Sequence, residues 1–372
     1  MPLRYVQVQS TVDLFSPVIR PTGNIAVVGA AATGGVGVPV QVSDPTDAAT
    51  KFGAAYQADG KTINSALTRA IDTVFDQTPG PGQVWGVPAA QDITSALAAV
   101  ETLNVQFVLV ANTALDATSG ATNGAIDLLS KHVTAVSNSG DGKERMGVAM
   151  LVKGNSDPAP AAALPNDRMI YVAHKSDEDV AAAVAGTVAG YPPSVSMVLK
   201  PVSVKTDDFT ATEIENLNGP EDFGKTSGGR GVIWLTKPAL LGGSAVCLGE
   251  GYTGNRNGKQ YIDITRTVDD VTFQLKARVI RAIGNLRISR SGLRALAVQL
   301  ESVLNPLVAD GVIESYDVVI PILGLLDADP STLSDAQAAQ VHHAETSRVA
   351  EVLVAVEYAG AMHRIAIKLN FA

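Results

Sequence analysis

The chain has 372 residues, of which 46% are hydrophobic and 17% charged, and a net charge of −9. That length allows two or three domains, or one large domain with another inserted, and the acidic balance argues against a protein that coats nucleic acid. A single cysteine, Cys247, excludes an internal disulfide and fits synthesis in the cytoplasm.

The N-terminal stretch MPLRYVQVQSTVDLF lacks the basic-then-apolar block of a signal peptide. No run approaches the about 18 strongly apolar residues of a membrane span. Residues 1–22 alternate at Val6 and Val8 and continue to Val12, and Pro17 and Pro21 block a helix through them. The pattern reads either as an extended arm carrying a strand, with a reach of roughly 65 Å if fully extended, or as a first strand folded onto its own sheet.

From residue 23 the chain alternates strand and helix. IAVV, a glycine-rich loop and residues 38–42 predict two short strands. DPTDAATKFG predicts a turn into a short helix, and INSALTRAIDTVFDQ places Ile63, Leu67, Ile71 and Val74 at helical spacing. QVWGVPA, VQFVLVANT, ERMGVAMLVK and RMIYVAH read as strands, and ITSALAAVETL and AIDLLSKHVTAV as helices. SDEDVAAAVAGTVAGY reads as a helix capped by Ser176. Residues 205–230 read as polar and loop-rich, after which VIWLTK resumes a strand. The alternation predicts an α/β region over 23–250, a mostly parallel central sheet with helices on its faces.

The last third differs. TVDDVTFQLKARVIRAIG predicts a helix capped by Thr267, with Val268, Val271, Leu275, Val279 and Ile283 on one face. SGLRALAVQLESVLNPL predicts a second helix with Leu293, Leu296, Leu300, Val303 and Leu304 inward. GVIESYDVVIP reads as a strand, and residues 325–347 as a polar connection. Two strands close the chain: one carrying Val352, Val354 and Val356, the other Ile365, Ile367, Leu369 and Phe371. The expected fold is thus α/β (α+β): a parallel-sheet region, a C-terminal α+β domain over 251–348, and extended strand arms at 1–22 and 349–372.

No catalytic, cofactor or metal site assembles from the motifs. Gly29 and Gly34 meet a GxxxxG spacing, but Gly35 follows where a phosphate-binding loop needs lysine, and Val40 breaks the dinucleotide pattern. His132, His174, His342, His343 and His363 show no metal-ligand spacing. Cys247 has apolar neighbours and no adjacent base, as a buried structural thiol would. One charge pattern stands out. Between Val271 and Leu300 there is no acid, while Lys276, Arg278, Arg281, Arg287, Arg290 and Arg294 supply six positive charges. Such a stretch reads either as a solvated helix face or as a docking face for an acidic protein partner. Phe273 is its one aromatic, which speaks against base stacking.

The segments GKQYIDITRTVDDVTFQLKARVIRAI, LRALAVQLESVLNPLVADGVI and VAEVLVAVEYAGAMHRIAIKLNFA, in that order, resemble the C-terminal region of contractile tail sheath proteins of phages, tailocins and related injection systems. NIAVVGAAATGGVGVPVQVSD leading to KFG, and LNGPEDFGKTSGGRGVIWLTK, agree with that family, and the likeness is most specific over 256–372. The resemblance implies a structural subunit rather than an enzyme, without cofactor, in a virion tail or contractile particle assembled in the host cytoplasm. It implies self-association as six-fold rings in a helical lattice, and partners in an inner tail tube protein, a baseplate and a tail terminator. No direct nucleic-acid contact or membrane insertion is expected. By position, Tyr5, Val6, Val8 and Val12 in the first arm, and Val352, Val354, Val356, Ile365, Ile367, Leu369 and Phe371 in the last strands, would join neighbouring copies. Lys276, Arg278, Arg281, Arg287, Arg290 and Arg294 would face the tube. The alternatives are an α/β enzyme of unidentified substrate and another self-assembling shell or tube protein.

Overall fold

The computed structural model describes residues 21–220, 229–238, 240 and 245–363. The expectations for Tyr5, Val6, Val8, Val12, Ile365, Ile367, Leu369 and Phe371 lie outside the described residues. The chain divides into two compact units, whose described parts are 21–270 with 360–363, and 271–359.

The first unit begins with β1 (Ile25–Gly29), β2 (Val40–Val42), α1 (Pro45–Phe52), α2 (Ala66–Phe75), β3 (Val84–Pro88), α3 (Thr94–Glu101) and β4 (Phe107–Leu115). It continues through α4 (Ala125–Asn138), β5 (Met146–Leu151), α5 (Ala159–Ala162), β6 (Met169–Ala173), α6 (Val180–Gly190), α7 (Ala211–Asn218), β7 (Ile233–Thr236) and β8 (Cys247–Leu248). The strands form one sheet in the order β2-β3-β1-β4-β5-β6-β7-β8. Pairing is parallel from β3 through β7, and the two outermost strands, β2 and β8, run antiparallel.

A sheet covered on both faces requires strands that are apolar without interruption. β1, β5 and β6 are buried at every position. Successive side chains then serve opposite layers. Ile25 and Val27 join Phe52, Leu67, Ile71 and Val184 of α1, α2 and α6. Ala26 and Val28 join Leu97, Ile126, Leu129 and Leu217 of α3, α4 and α7. α6 is buried all round, from Val180 to Ala189, as a helix without a polar face must be. Its small residues admit close neighbours: a Cβ on Gly190 would stand 2.1 Å from the Pro79 carbonyl oxygen.

One expectation in this unit changes. α6 is capped by Asp179, whose side chain accepts from the Ala182 amide, and not by Ser176. The carboxylate sits where the helix begins, whereas Ser176 turns its hydroxyl to the Glu178 amide. The loop-rich stretch 205–230 also holds a short helix. α7 opens with a reciprocal capping box between Thr210 and Glu213, which satisfies amides that the helix itself leaves unbonded.

The second unit holds the end of α8 (Ile262–Ile280), then α9 (Arg290–Ala309), β9 (Ile313–Val319), α10 (Pro321–Asp327), a 3-10 turn at Pro330–Thr332, α11 (Asp335–Ser347) and β10 (Leu353–Tyr358). α8 starts five residues before Thr267, which is therefore an interior residue and not the cap. Ile283 falls beyond the end of α8 and is 72% exposed. The expected connection at 325–347 is largely helical, because Ser334 and Gln337 form a second capping box that starts α11. Among the described residues its core cluster is small: Val271, Leu304, Leu307 and Ile313 are buried, with Leu275, Val312, Tyr316, Val318 and Val354 packed on them, while Ala282, Leu293, Leu300, Ile320 and Ala344 are buried outside that cluster.

Candidate assembly surfaces

β9 and β10 run antiparallel, with Leu353 opposite Val319, Val354 opposite Val318, Ala355 opposite Asp317 and Val356 opposite Tyr316. Alternation divides the ladder into two faces. Val354, Val318 and Tyr316 rest on the small core, with Val356 beside them at 40% exposure. The other face shows solvent Leu353 at 53% and Val319 at 43%, directly across from one another. Val352, just before β10, is half-buried. No third strand joins this sheet among the described residues. Two strands alone are marginal in water, and open strand edges are templates for another chain.

The six basic residues separate into groups. Arg290 and Arg294, at the start of α9, are engaged at the end of α10. The Arg294 guanidinium lies 3.0 Å from the Asp327 carboxylate. Arg290 donates to the Leu326 carbonyl and lies 3.9 Å from Asp327. These contacts satisfy carbonyls at a helix C-terminus, where cations are favoured. Lys276 is exposed and Arg278 half-buried on α8. Arg281 and Arg287, in the turn between α8 and α9, are both exposed.

In the first unit, the chain is tied down where it enters and where it returns. Arg266 of α8 is buried and donates to the carbonyls of Tyr191 at 2.8 Å and of Thr22 and Pro192 at 3.3 Å. Its guanidinium lies 5.3 Å from the Phe107 ring centroid. His363 lies with Nδ1 3.1 Å from Glu250 Oε2 and Nε2 2.9 Å from Ser196 Oγ. Its ring meets the edge of Tyr261 at 4.8 Å between centroids. Both anchor points therefore gather near the start of α8 and the segment 191–196. Arg168 and Asp269 add a bidentate, largely buried pair at 2.8 and 2.9 Å that fixes the first half of α8 to the foot of β6. Such a two-pronged pair fixes orientation as well as position.

Other polar clusters serve the fold. Buried Arg145 donates to the carbonyls of Val100, Leu103 and Lys143. His132 beside it is held near pKa 4, by burial first and by the Arg145 charge second. Cys247 is buried in β8 and its thiol is pushed up by that burial. An open cleft of about 780 Å³ is lined by Arg69, Asp72, Asp76, Glu178 and Lys205 among others, with no histidine or cysteine. No group of three or more metal-ligating side chains occurs among the described residues, and none of their helices is long and apolar enough to cross a membrane.

No known family's sequence profile matches the chain, and no curated protein matches it in sequence. Solved structures do match in fold. A chain of the anti-feeding prophage (AFP) baseplate, 6-fold symmetrised, superposes with a TM-score of 0.67 at 13% identity, over 100% of this chain and 99% of that chain. A chain of an extracellular contractile injection system, the PVC sheath complex in its contracted state, gives 0.66 at 13% identity, over 100% and 97%. The sheath tail protein of Desulfitobacterium hafniense gives 0.57 at 12% identity, over 85% and 92%. The chain has the fold of contractile tail sheath proteins, the family that its sequence resembles.

Proposed function

We propose that this chain is the repeating subunit of a contractile sheath, a cylinder of stacked six-fold rings around an inner tube. One observation carries the reading: agreement with a chain of a contracted sheath complex from end to end, over 100% of this chain and 97% of that one. Coverage of nearly the whole of both chains speaks for the same role rather than for a shared domain.

On this reading the open edges of β9 and β10 receive strands from neighbouring copies. The donors are the arms at residues 5–12 and 364–371, which add main-chain hydrogen bonds across copies. Head-to-tail exchange of this kind closes a ring or extends into an open helix according to the rotation between copies, and a sheath uses both. The inner tube, a baseplate and a terminator complete the particle. Contraction releases free energy stored in a kinetically trapped lattice, through rigid-body rotation of units whose strands stay paired. The test is electron microscopy of the purified chain. Wide hollow cylinders with six-fold symmetry are expected. Closed shells, or a monomer at every concentration, would refute the reading.

A further inference from the structure

We propose that the turn between α8 and α9 of one copy docks on the outward face of the β9–β10 sheet of a second copy. The inference rests on the sheath reading and adds a contact distinct from strand exchange. It starts from how charge is distributed within the second unit. Residues 271–300 carry six basic residues and no acid, while residues 301–359 carry ten acids and a single base, Arg348. Two of the basic residues, Arg290 and Arg294, meet Asp327 within the chain. Arg281 and Arg287 are exposed and form no ion pair among the described residues.

The same turn exposes two large apolar side chains, Ile280 at 67% and Ile283 at 72%. Ile280 and Arg281 at the end of α8, followed by Ile283 and Arg287, alternate apolar and unpaired basic side chains along one short stretch and make a knob that offers both. Interfaces combine the two, with a desolvated centre and a charged margin that sets register. The outward sheet face has the complementary composition. Leu353 and Val319 stand opposite each other at its centre. Asp317 lies one alternation away on β9, and Glu351 two residues before Leu353; both are exposed and form no ion pair among the described residues.

Knob and face belong to different elements of one unit, so in a sheath the contact is made head to tail, the knob of each copy on the face of the next, and it repeats along the lattice. A second copy fits better than a basic or neutral partner, because the chain itself supplies the acidic, apolar surface that the knob requires.

The test is charge exchange on the full-length protein, with assembly followed by sedimentation. R281E/R287E alone and D317K/E351K alone should each raise the critical concentration about tenfold or more, the scale of one lost charge-pair coupling. The combined four-fold variant should restore assembly, since the pairs re-form with reversed sign. All four positions are exposed, and unchanged thermal unfolding checks that each variant folds. Assembly of both single-sided variants at the wild-type concentration would overturn the contact. So would a four-fold variant no better than either parent, or a basic-side variant that only loses binding to an inner tube protein. A wild-type chain that never polymerises would instead sink the sheath reading, and this contact with it.

Discussion

Asp72 shows what a single buried carboxylate costs. It lies on α2, and its Oδ1 atom is buried without a hydrogen-bond partner among the described residues. Burial, and then the like charge of Asp76 one turn along, push its pKa up from the ordinary 3.8 to about 6. The folded chain therefore holds that proton more tightly than the unfolded chain. Stability falls as pH rises from about 4 to about 6, and the loss is complete above it. The Asp72→Asn variant should gain about 1 kcal/mol at pH 7, after discounting for partial exposure, and almost nothing at pH 4. Denaturant titrations at the two pH values measure the difference; an equal gain at both would contradict the assignment. At this scale the sequence shows residue types but not their partners. His363 is an example: nothing near it in the chain announces Glu250 or Ser196, which lie 113 and 167 positions away. Conversely, the six-base stretch is plain in the sequence, but that Asp327 engages two of them is a fact of folding.

Among the elements, those with strong periodicity were legible and those held by caps were not. The uninterrupted apolar runs at β1, β5 and β6 announce a sheet covered on both faces, and α2 follows from its leucine and isoleucine spacing. α7 and α11 lack an apolar stripe; only Leu217 and Ala344 are their buried apolar residues. Their capping boxes, T-x-x-E at Thr210 and S-x-x-Q at Ser334, were the available signal. The small residues of α6 marked a helix, but not the reason for its glycines, which is the approach of Pro79 and Val74. That reason is testable with a pair of substitutions of opposite sign. Gly190→Ala places a Cβ 2.1 Å from a backbone oxygen, and should destabilise the protein by about 1–3 kcal/mol. Gly324→Ala, in α10, meets nothing within 4 Å, and should stabilise the protein by about 0.5–1 kcal/mol through helix propensity. Chemical denaturation of both variants gives the two signs directly.

For the whole molecule, the two units differ in how far each is complete by itself. The α/β unit buries apolar side chains on both sides of an eight-stranded sheet. Among its described residues the second unit has a core cluster of four buried residues, with five more buried apolar side chains outside it, and leaves Ile280, Ile283, Val298, Val349 and Leu353 more than half exposed. A unit with few apolar contacts and open strand edges exchanges its amides through local opening. If neighbouring copies supply what it lacks, assembly should protect it selectively. Hydrogen exchange of β9 and β10 should slow by an order of magnitude or more on passing from monomer to polymer, while β1, β5 and β6 change little. Removing residues 364–372 sharpens the comparison, because it spares His363 and its contacts with Glu250 and Ser196. The shortened chain should unfold at the wild-type temperature, stay unassembled, and keep fast exchange in β9 and β10 at every concentration. If it formed long cylinders, or if β9 and β10 were already protected in the monomer, the second unit would be self-sufficient and strand donation would have no thermodynamic basis.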